Sequence, residues 1–153
     1  MGDLDARVSA SGTLRLVGLD VGDRRIGVAV SDPTGSLASP VEVYHRKGHE
    51  MDVRHVVDLV ETYEASGVVI GLPKNMNGTE GPQAEKTREF AEAVAQQGLP
   101  IFLWDERLST VEATRRMVEQ RHRRRGIQQR IDSEAAALIL QTYLDHVRLK
   151  EQR

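Results

Sequence analysis

The run Leu14 to Val21 is apolar at nearly every position, and that continuity limits the folds open to this chain. A strand with one wet face alternates apolar and polar side chains, whereas a strand covered on both faces does not. The segment therefore reads as a central strand. Gly22-Asp23 then supplies turn chemistry and Ile26 to Val30 resumes β-type sequence, so two strands are joined by a tight turn. Asp20 interrupts the first of them. An ionised carboxylate taken out of water without partners is costly, or shifts its pKa until it neutralises.

A third strand is expected over Ala38 to His45, after the turn Asp32-Pro33-Thr34-Gly35. Residues 51 to 64 set Val53, Val56, Val57, Val60 and Tyr63 on one helical face; Gly67 ends that helix and Val68-Val69-Ile70 is a short buried strand. After the loop Gly71 to Gly81, Pro82 suits the first turn of a helix whose inward positions are Thr87, Phe90, Ala91, Val94 and Ala95. Ile101 to Trp104 reads as the fifth strand. Ser109-Thr110-Val111-Glu112 has capping-box spacing and opens another helix. Residues 121 to 130 read as a mobile loop, and a final helix runs from about Asp132 to Val147 with Ala136, Ile139, Leu140, Tyr143 and Val147 facing inward. A hairpin meander followed by strands alternating with helices implies an α/β fold, a five-stranded mixed sheet with helices on its faces.

At 153 residues the chain suits one domain. Residues 1–13 are small and polar, and are expected to be a flexible N-terminal tail without the apolar centre of a secretory signal; residues 14–149 form the domain. No apolar stretch approaches a membrane span, so no membrane partner is expected and the cytoplasm is the default location. There is no cysteine, which excludes disulfides, thiolate metal sites and cysteine nucleophiles. The net charge of −2 hides an asymmetry: between Arg115 and Arg130 lie seven arginines and one acid, a local +6. That concentration suggests one anionic partner site.

Two further acids share the oddity of Asp20. Glu106 follows the apolar run Ile101 to Trp104, and Asp132 precedes the stretch Ala135 to Leu140. Each has a plain structural alternative. Asp20 could serve its turn or pair with Arg24 or Arg25; Glu106 could belong to a surface ion-pair cluster, Asp105-Glu106-Arg107; Asp132 could be a helix N-cap. Taken together the three point elsewhere. Two carboxylates about 4 Å apart repel by roughly 4 kcal/mol at an effective dielectric near 20, so three gathered acids need a cation. Hard oxygen ligands select Mg²⁺ or Mn²⁺, and two such ions could clamp the attacking and leaving oxygens of a phosphoryl displacement. The Gly71 to Gly81 loop, with Lys74, offers backbone N–H groups to an anion, although the ending of a P-loop is missing. Arg121, Arg123, Arg124 and Arg125 could track a phosphate backbone or form a solvated charge run. Aromatics make up only 4% of the chain, so recognition of backbone and shape is favoured over base stacking.

Four ordered motifs carry a resemblance: Gly18-Leu-Asp20-Val-Gly22-Asp-Arg-Arg25-Ile-Gly27-Val-Ala29-Val-Ser-Asp32, Gly71-Leu-Pro73-Lys-Asn75-Met-Asn-Gly78, Asp105-Glu106-Arg107-Leu-Ser109-Thr110, and Asp132-Ser-Glu-Ala135-Ala136. Over roughly Leu14 to Leu149 the chain resembles the YqgF family, whose members carry names for Holliday junction resolution and for pre-16S rRNA processing. The resemblance implies a ribonuclease H-like fold of sheet order 3-2-1-4-5 with strand two antiparallel. It implies Asp20, Glu106 and Asp132 as the catalytic, metal-binding acids; Arg25, Lys74, Asn75, Arg107 and the arginine run are expected on the substrate side. The expected activity is metal-dependent hydrolysis of structured nucleic acid, first the 5′ end of the 16S rRNA precursor, then four-way DNA. A phosphotransferase of the sugar-kinase or actin type shares the Gly-x-Asp-x-Gly opening but needs two lobes. A non-catalytic nucleic-acid-binding or ribosome-assembly factor would use the same basic segment. Monomer and homodimer both stay open.

Overall fold

The computed structural model describes residues 15–108 and 128–151, with the side chains of the last helix described from Ile131 to Arg148. Five strands, β1 (Leu16–Val21), β2 (Arg25–Ser31), β3 (Ala38–His45), β4 (Gly67–Leu72) and β5 (Ile101–Asp105), form one sheet of order β3-β2-β1-β4-β5. β2 runs antiparallel to β1 and β3, while β4 is parallel to β1 and to β5. Three helices, α1 (His49–Thr62), α2 (Pro82–Ala95) and α3 (Gln128–Glu151), accompany it, and a 3₁₀ turn, Glu106–Leu108, follows β5. Order and strand directions agree with expectation.

The unbroken apolar run of β1 has a direct cause: all six residues are buried, because both faces of the sheet are covered. Val17, Leu19 and Val21 point to one side and pack with Val53, Val56 and Phe90 of α1 and α2. Leu16 points to the other, with Ala29, Val69 and the α3 residues Ala136, Ile139 and Leu140. This second face is lined by small residues. A Cβ added to Gly18 would lie 2.8 Å from Leu140 Cβ, one on Gly27 would lie 1.9 Å from the Asp132 carbonyl oxygen, and one on Gly71 would lie 2.6 Å from Ile139 Cδ1. Helix α3 thus rests where side chains would otherwise stand. Glycine inside a strand costs about 0.5–1 kcal/mol relative to alanine. Fully burying Ile139 and Leu140 contributes about 1.5–3 kcal/mol each, so close seating is the larger effect.

Several boundaries differ from expectation. α3 begins at Gln128, so Asp132 lies in its second turn and is not an N-cap. Gln128, Gln129 and Arg130 are good helix formers and Ile131 is buried, which extends the helix backwards through part of the expected loop. α1 is not stopped by Gly67. It ends at Thr62, and Glu64 takes the left-handed conformation (φ 52°) that usually falls to glycine, while Ala65 N–H donates to Val60 O at 2.9 Å. Gly67 instead opens β4, where a Cβ would approach Pro100 O to 3.0 Å. Asp52, unremarked in the sequence, is buried on α1, and Ala95 is exposed. The helix expected from Ser109 and the arginines 121 to 125 lie outside the described residues.

Gly27→Ala is expected to lower stability by about 1–3 kcal/mol, because the obstructing atom is backbone and the helix must shift. The check is a reduced urea midpoint at unchanged slope; a wild-type midpoint would mean that α3 does not rest on Gly27.

Candidate active site

The parallel strands β1, β4 and β5 end on the same side of the sheet, where β2 begins, and the candidate residues collect there. Asp20, 9% exposed, is one residue from the end of β1. Across β2 it faces Gly27, and on β4 Gly71 occupies the position after the Leu19–Ile70 pair. Asp20 is therefore flanked on one face of the sheet by two residues without side chains. The other acids are seated on those two glycines. Glu106, leading the 3₁₀ turn, brings Oε1 to 2.9 Å from where a Gly71 Cβ would be, and the Asp132 backbone lies over Gly27. Three distant parts of the sequence are gathered because β1 is bordered by glycine on both sides.

Their side chains are not drawn into one cluster. Asp132 Oδ2 accepts a hydrogen bond from Arg25 Nε at 2.7 Å, an ion pair that faces a pocket of about 250 Å³ lined by Gly22, Asp23, Arg24, Arg25 and Asp132. Pairing with Arg25, foreseen as an alternative for Asp20, thus falls to Asp132. Among the described residues, no three His, Cys, Asp or Glu side chains are grouped as a metal-holding set. The donor chemistry still fits a hard divalent ion, since every candidate ligand is a carboxylate, and the bare Gly71 leaves the space that the Glu106 carboxylate occupies.

The expected substrate-side residues divide. Arg107 is engaged by Asp105, with Nη2 donating to Oδ2 at 2.7 Å and its backbone N–H to Oδ1 at 2.9 Å. The Arg107 side chain, through these hydrogen bonds, holds the Asp105 carboxyl below its ordinary pKa. The ion-pair cluster foreseen for Glu106 is therefore realised by its two neighbours. Arg107 Nη1 also reaches Met76 O at 3.4 Å, joining the end of β5 to the loop after β4. That loop is closed on itself. Asn75 N–H donates to Thr79 O and Gly78 N–H to Asn75 O, both at 2.8 Å, and Asn75 Nδ2 donates to Thr79 Oγ1 at 2.9 Å. These N–H groups serve the turn and do not point to an anion. Lys74 is half-buried in the same loop.

One support was not read from the sequence. Asp52 Oδ2 accepts from Arg46 Nε, while Oδ1 accepts from Tyr44 OH and Lys47 N–H, all at 2.9 Å. Arg46 continues to the β1–β2 turn, donating from Nη1 to Gly22 O at 3.0 Å and from its backbone N–H to Arg24 O at 2.9 Å. The turn that fixes Asp20 and Arg25 is thus braced by a buried aspartate. Burial alone would raise the pKa of Asp52, but the Lys47 N–H, Arg46 and Tyr44 together lower it. The Tyr44 hydroxyl is pushed up to about 12 by burial and by its bond to Asp52. The signal was available: Asp52 stands four residues before Val56, on the apolar face.

A five-stranded sheet of this order, with one antiparallel internal strand and helices on both faces, defines a ribonuclease H-like protein. Its backbone is similar to Thermus thermophilus RuvC solved with a Holliday junction substrate (TM-score 0.57, 17% identity, covering 88% of this chain and 95% of that one). A second RuvC structure from Thermus thermophilus gives a TM-score of 0.56 at 15% identity, over 89% and 96% of the two chains. At these identities the likeness establishes the fold alone. The family model described as "RuvX: Holliday junction resolvase" matches residues 14–146, and the chain belongs to that family. Among its relatives is a "Putative pre-16S rRNA nuclease" of Halothermothrix orenii, 47% identical over 87% of this chain and 96% of its own length. Another of the same name, from Thermoanaerobacter pseudethanolicus, is 44% identical over 86% and 96%. No helix among the described residues is long and apolar enough to cross a membrane.

Two outcomes follow from this geometry. Gly71→Ala adds a methyl group against side-chain tips, so the fold should adjust while Glu106 is displaced; any hydrolysis that depends on Glu106 is expected to fall about a hundredfold with a small change in melting temperature. Asp52→Asn should cost about 3 kcal/mol at neutral pH. Because the folded pKa of Asp52 is depressed, its contribution is present above the ordinary carboxylate range and is lost as pH falls below about 4. The variant's stability should therefore decline less steeply in acid, as followed by urea unfolding between neutral pH and pH of about 3.

Proposed function

We propose that this chain is a divalent-ion-dependent nuclease that hydrolyses phosphodiester bonds in structured nucleic acid, with the 5′ end of the 16S rRNA precursor as its substrate. The observation that carries the reading is the row Gly27–Asp20–Gly71, with Asp132 and Glu106 seated on its two ends. The names of the relatives support the ribosomal substrate. The description of the family model favours a second reading, cleavage of four-way DNA.

Asp20 and Glu106 would hold the magnesium or manganese, with Asp132 as the third acid. A divalent ion held there supplies Lewis-acid stabilisation of the charge that builds on a phosphoryl oxygen. The remaining work falls to the protein. Arg25 orients Asp132 and adds positive charge to the pocket beside the β1–β2 turn. Lys74 and Arg107 border the acids on the β4 and β5 side, and Arg121, Arg123, Arg124 and Arg125 would hold flanking phosphates. Residues 14–149 would be the nuclease domain, with residues 1–13 outside it.

Purified protein with Mg²⁺ or Mn²⁺, supplied separately with precursor rRNA and with four-way DNA, tests the assignment when the products are sequenced. Asp20→Asn should lose cleavage by about a thousandfold or more while binding stays within about threefold of wild type. Wild-type cleavage by that variant would remove the mechanism, and precise cutting of four-way DNA alone would select the second reading.

A further inference from the structure

We propose that Met76 is an apolar wedge that enters between neighbouring bases beside the scissile phosphate, so that this enzyme acts where a base stack is opened. The inference rests on the nuclease reading above and names how that site takes its substrate. Met76 is 94% exposed, well beyond the other large apolar side chains exposed among the described residues. Leu37 belongs to the β2–β3 loop at the far end of the sheet, Met51 to α1 and Leu103 to the edge strand β5. Leu108, two residues after Glu106, and Met51, in the first turn of α1, also stand at the end of the sheet where Met76 stands, and both are less exposed than Met76.

The placement of Met76 is built. It tops the loop leaving β4, next to the strand that carries Asp20. The tip is closed by the Asn75–Thr79 and Gly78–Asn75 bonds, and Asn77 Oδ1 accepts from both Thr79 N–H and Thr79 Oγ1. Gly78, at φ 89°, supplies the left-handed residue that the turn requires. The Met76 carbonyl is tied to Arg107, the residue after Glu106. An apolar side chain is thus displayed in water by a loop with fixed ends, flanked by Lys74 and by polar Asn75 and Asn77.

Nucleic acid is the occupant that fits both the apolar tip and the charged surroundings. Proteins that unstack a duplex do so with Met, Leu, Ile or Phe inserted at a base step. Here no phenylalanine, tyrosine or tryptophan ring is available for that task. Phe90, Tyr44 and Tyr143 are buried, Phe102 and Trp104 pack against Tyr143, and Tyr63 is half-buried against the core. Unstacking is least costly at a mismatch, bulge or branch, which makes such interruptions the preferred substrates.

The test compares single-turnover cleavage, with Mg²⁺, of two substrates of one sequence, one fully paired at the step flanking the mapped cut and one mismatched there. Met76→Ala should slow the paired substrate by about ten- to a hundredfold, the mismatch should restore the rate to within about threefold of wild type, and Met76→Leu should behave as wild type. 2-Aminopurine at that step should brighten on binding Asp20→Asn protein and stay dim with the Asp20→Asn, Met76→Ala double variant. Equal rates for Met76→Ala and wild type, or slowing that the mismatch does not relieve, would overturn the wedge and leave the nuclease intact. A wild-type protein that cuts neither substrate removes the nuclease reading, and the wedge with it.

Discussion

Everything at the end of the sheet that carries Asp20 depends on how closely α3 lies on it. A helix normally stands off a strand by the thickness of two side chains. Here Gly18 and Gly27 contribute none, and the carbonyl of Asp132 occupies the place of a Cβ. Apolar burial under Ile139 and Leu140 supplies the force, and the glycines set the distance at which it acts. On the opposite side of Asp20, Gly71 makes the same allowance for Glu106. The elements that carry the acids come to one end because backbone replaces side chain twice in one row of the sheet, although their carboxylates are not drawn into one cluster.

Charge at this end is arranged in pairs. Arg25 holds Asp132, Arg107 holds Asp105 and Arg46 holds the buried Asp52. The first pair fixes an acid of the proposed site, the second ties the end of β5 to the loop after β4, and the third braces the β1–β2 turn. Exposed pairs of this kind contribute little to stability. Their value lies in orientation: Arg107 grips Asp105 with two nitrogens of its fork, while Arg25 and Arg46 each direct one Nε–H to their carboxylate. Only the Arg46–Asp52 pair is sheltered enough to matter to the fold as well, because Asp52 is cut off from water and three donors converge on it.

Much of the fold was legible because burial on two faces and on one face leave different patterns. Leu16–Val21 and Gly67–Leu72 carry no alternation, and both are central strands. Helix ends were less legible. A C-terminal glycine at Gly67 and an N-terminal aspartate at Asp132 are sound local signals, yet Glu64 took the left-handed position and Ile131 drew α3 a turn further back. Tertiary packing outweighs cap preferences worth about 1 kcal/mol. The positions of Asp20, Glu106 and Asp132 on one end of the sheet followed from strand order and motif. The pairing of Asp132 with Arg25 did not, since it joins residues more than a hundred positions apart through a side-chain rotamer. Asn75 likewise read as a ligand for substrate and is used to close its own turn.

The acids arise at positions 20, 106 and 132, and the last of them is carried by the last of the described elements. The hairpin of β1 and β2 and the helices that cover its opposite face all precede α3 in the chain. Until that segment docks, Gly27 faces water and Arg25 lacks its carboxylate. Docking of α3 therefore does two things in one step: it covers this face of the sheet and it brings Asp132 to the end that already carries Asp20 and Glu106.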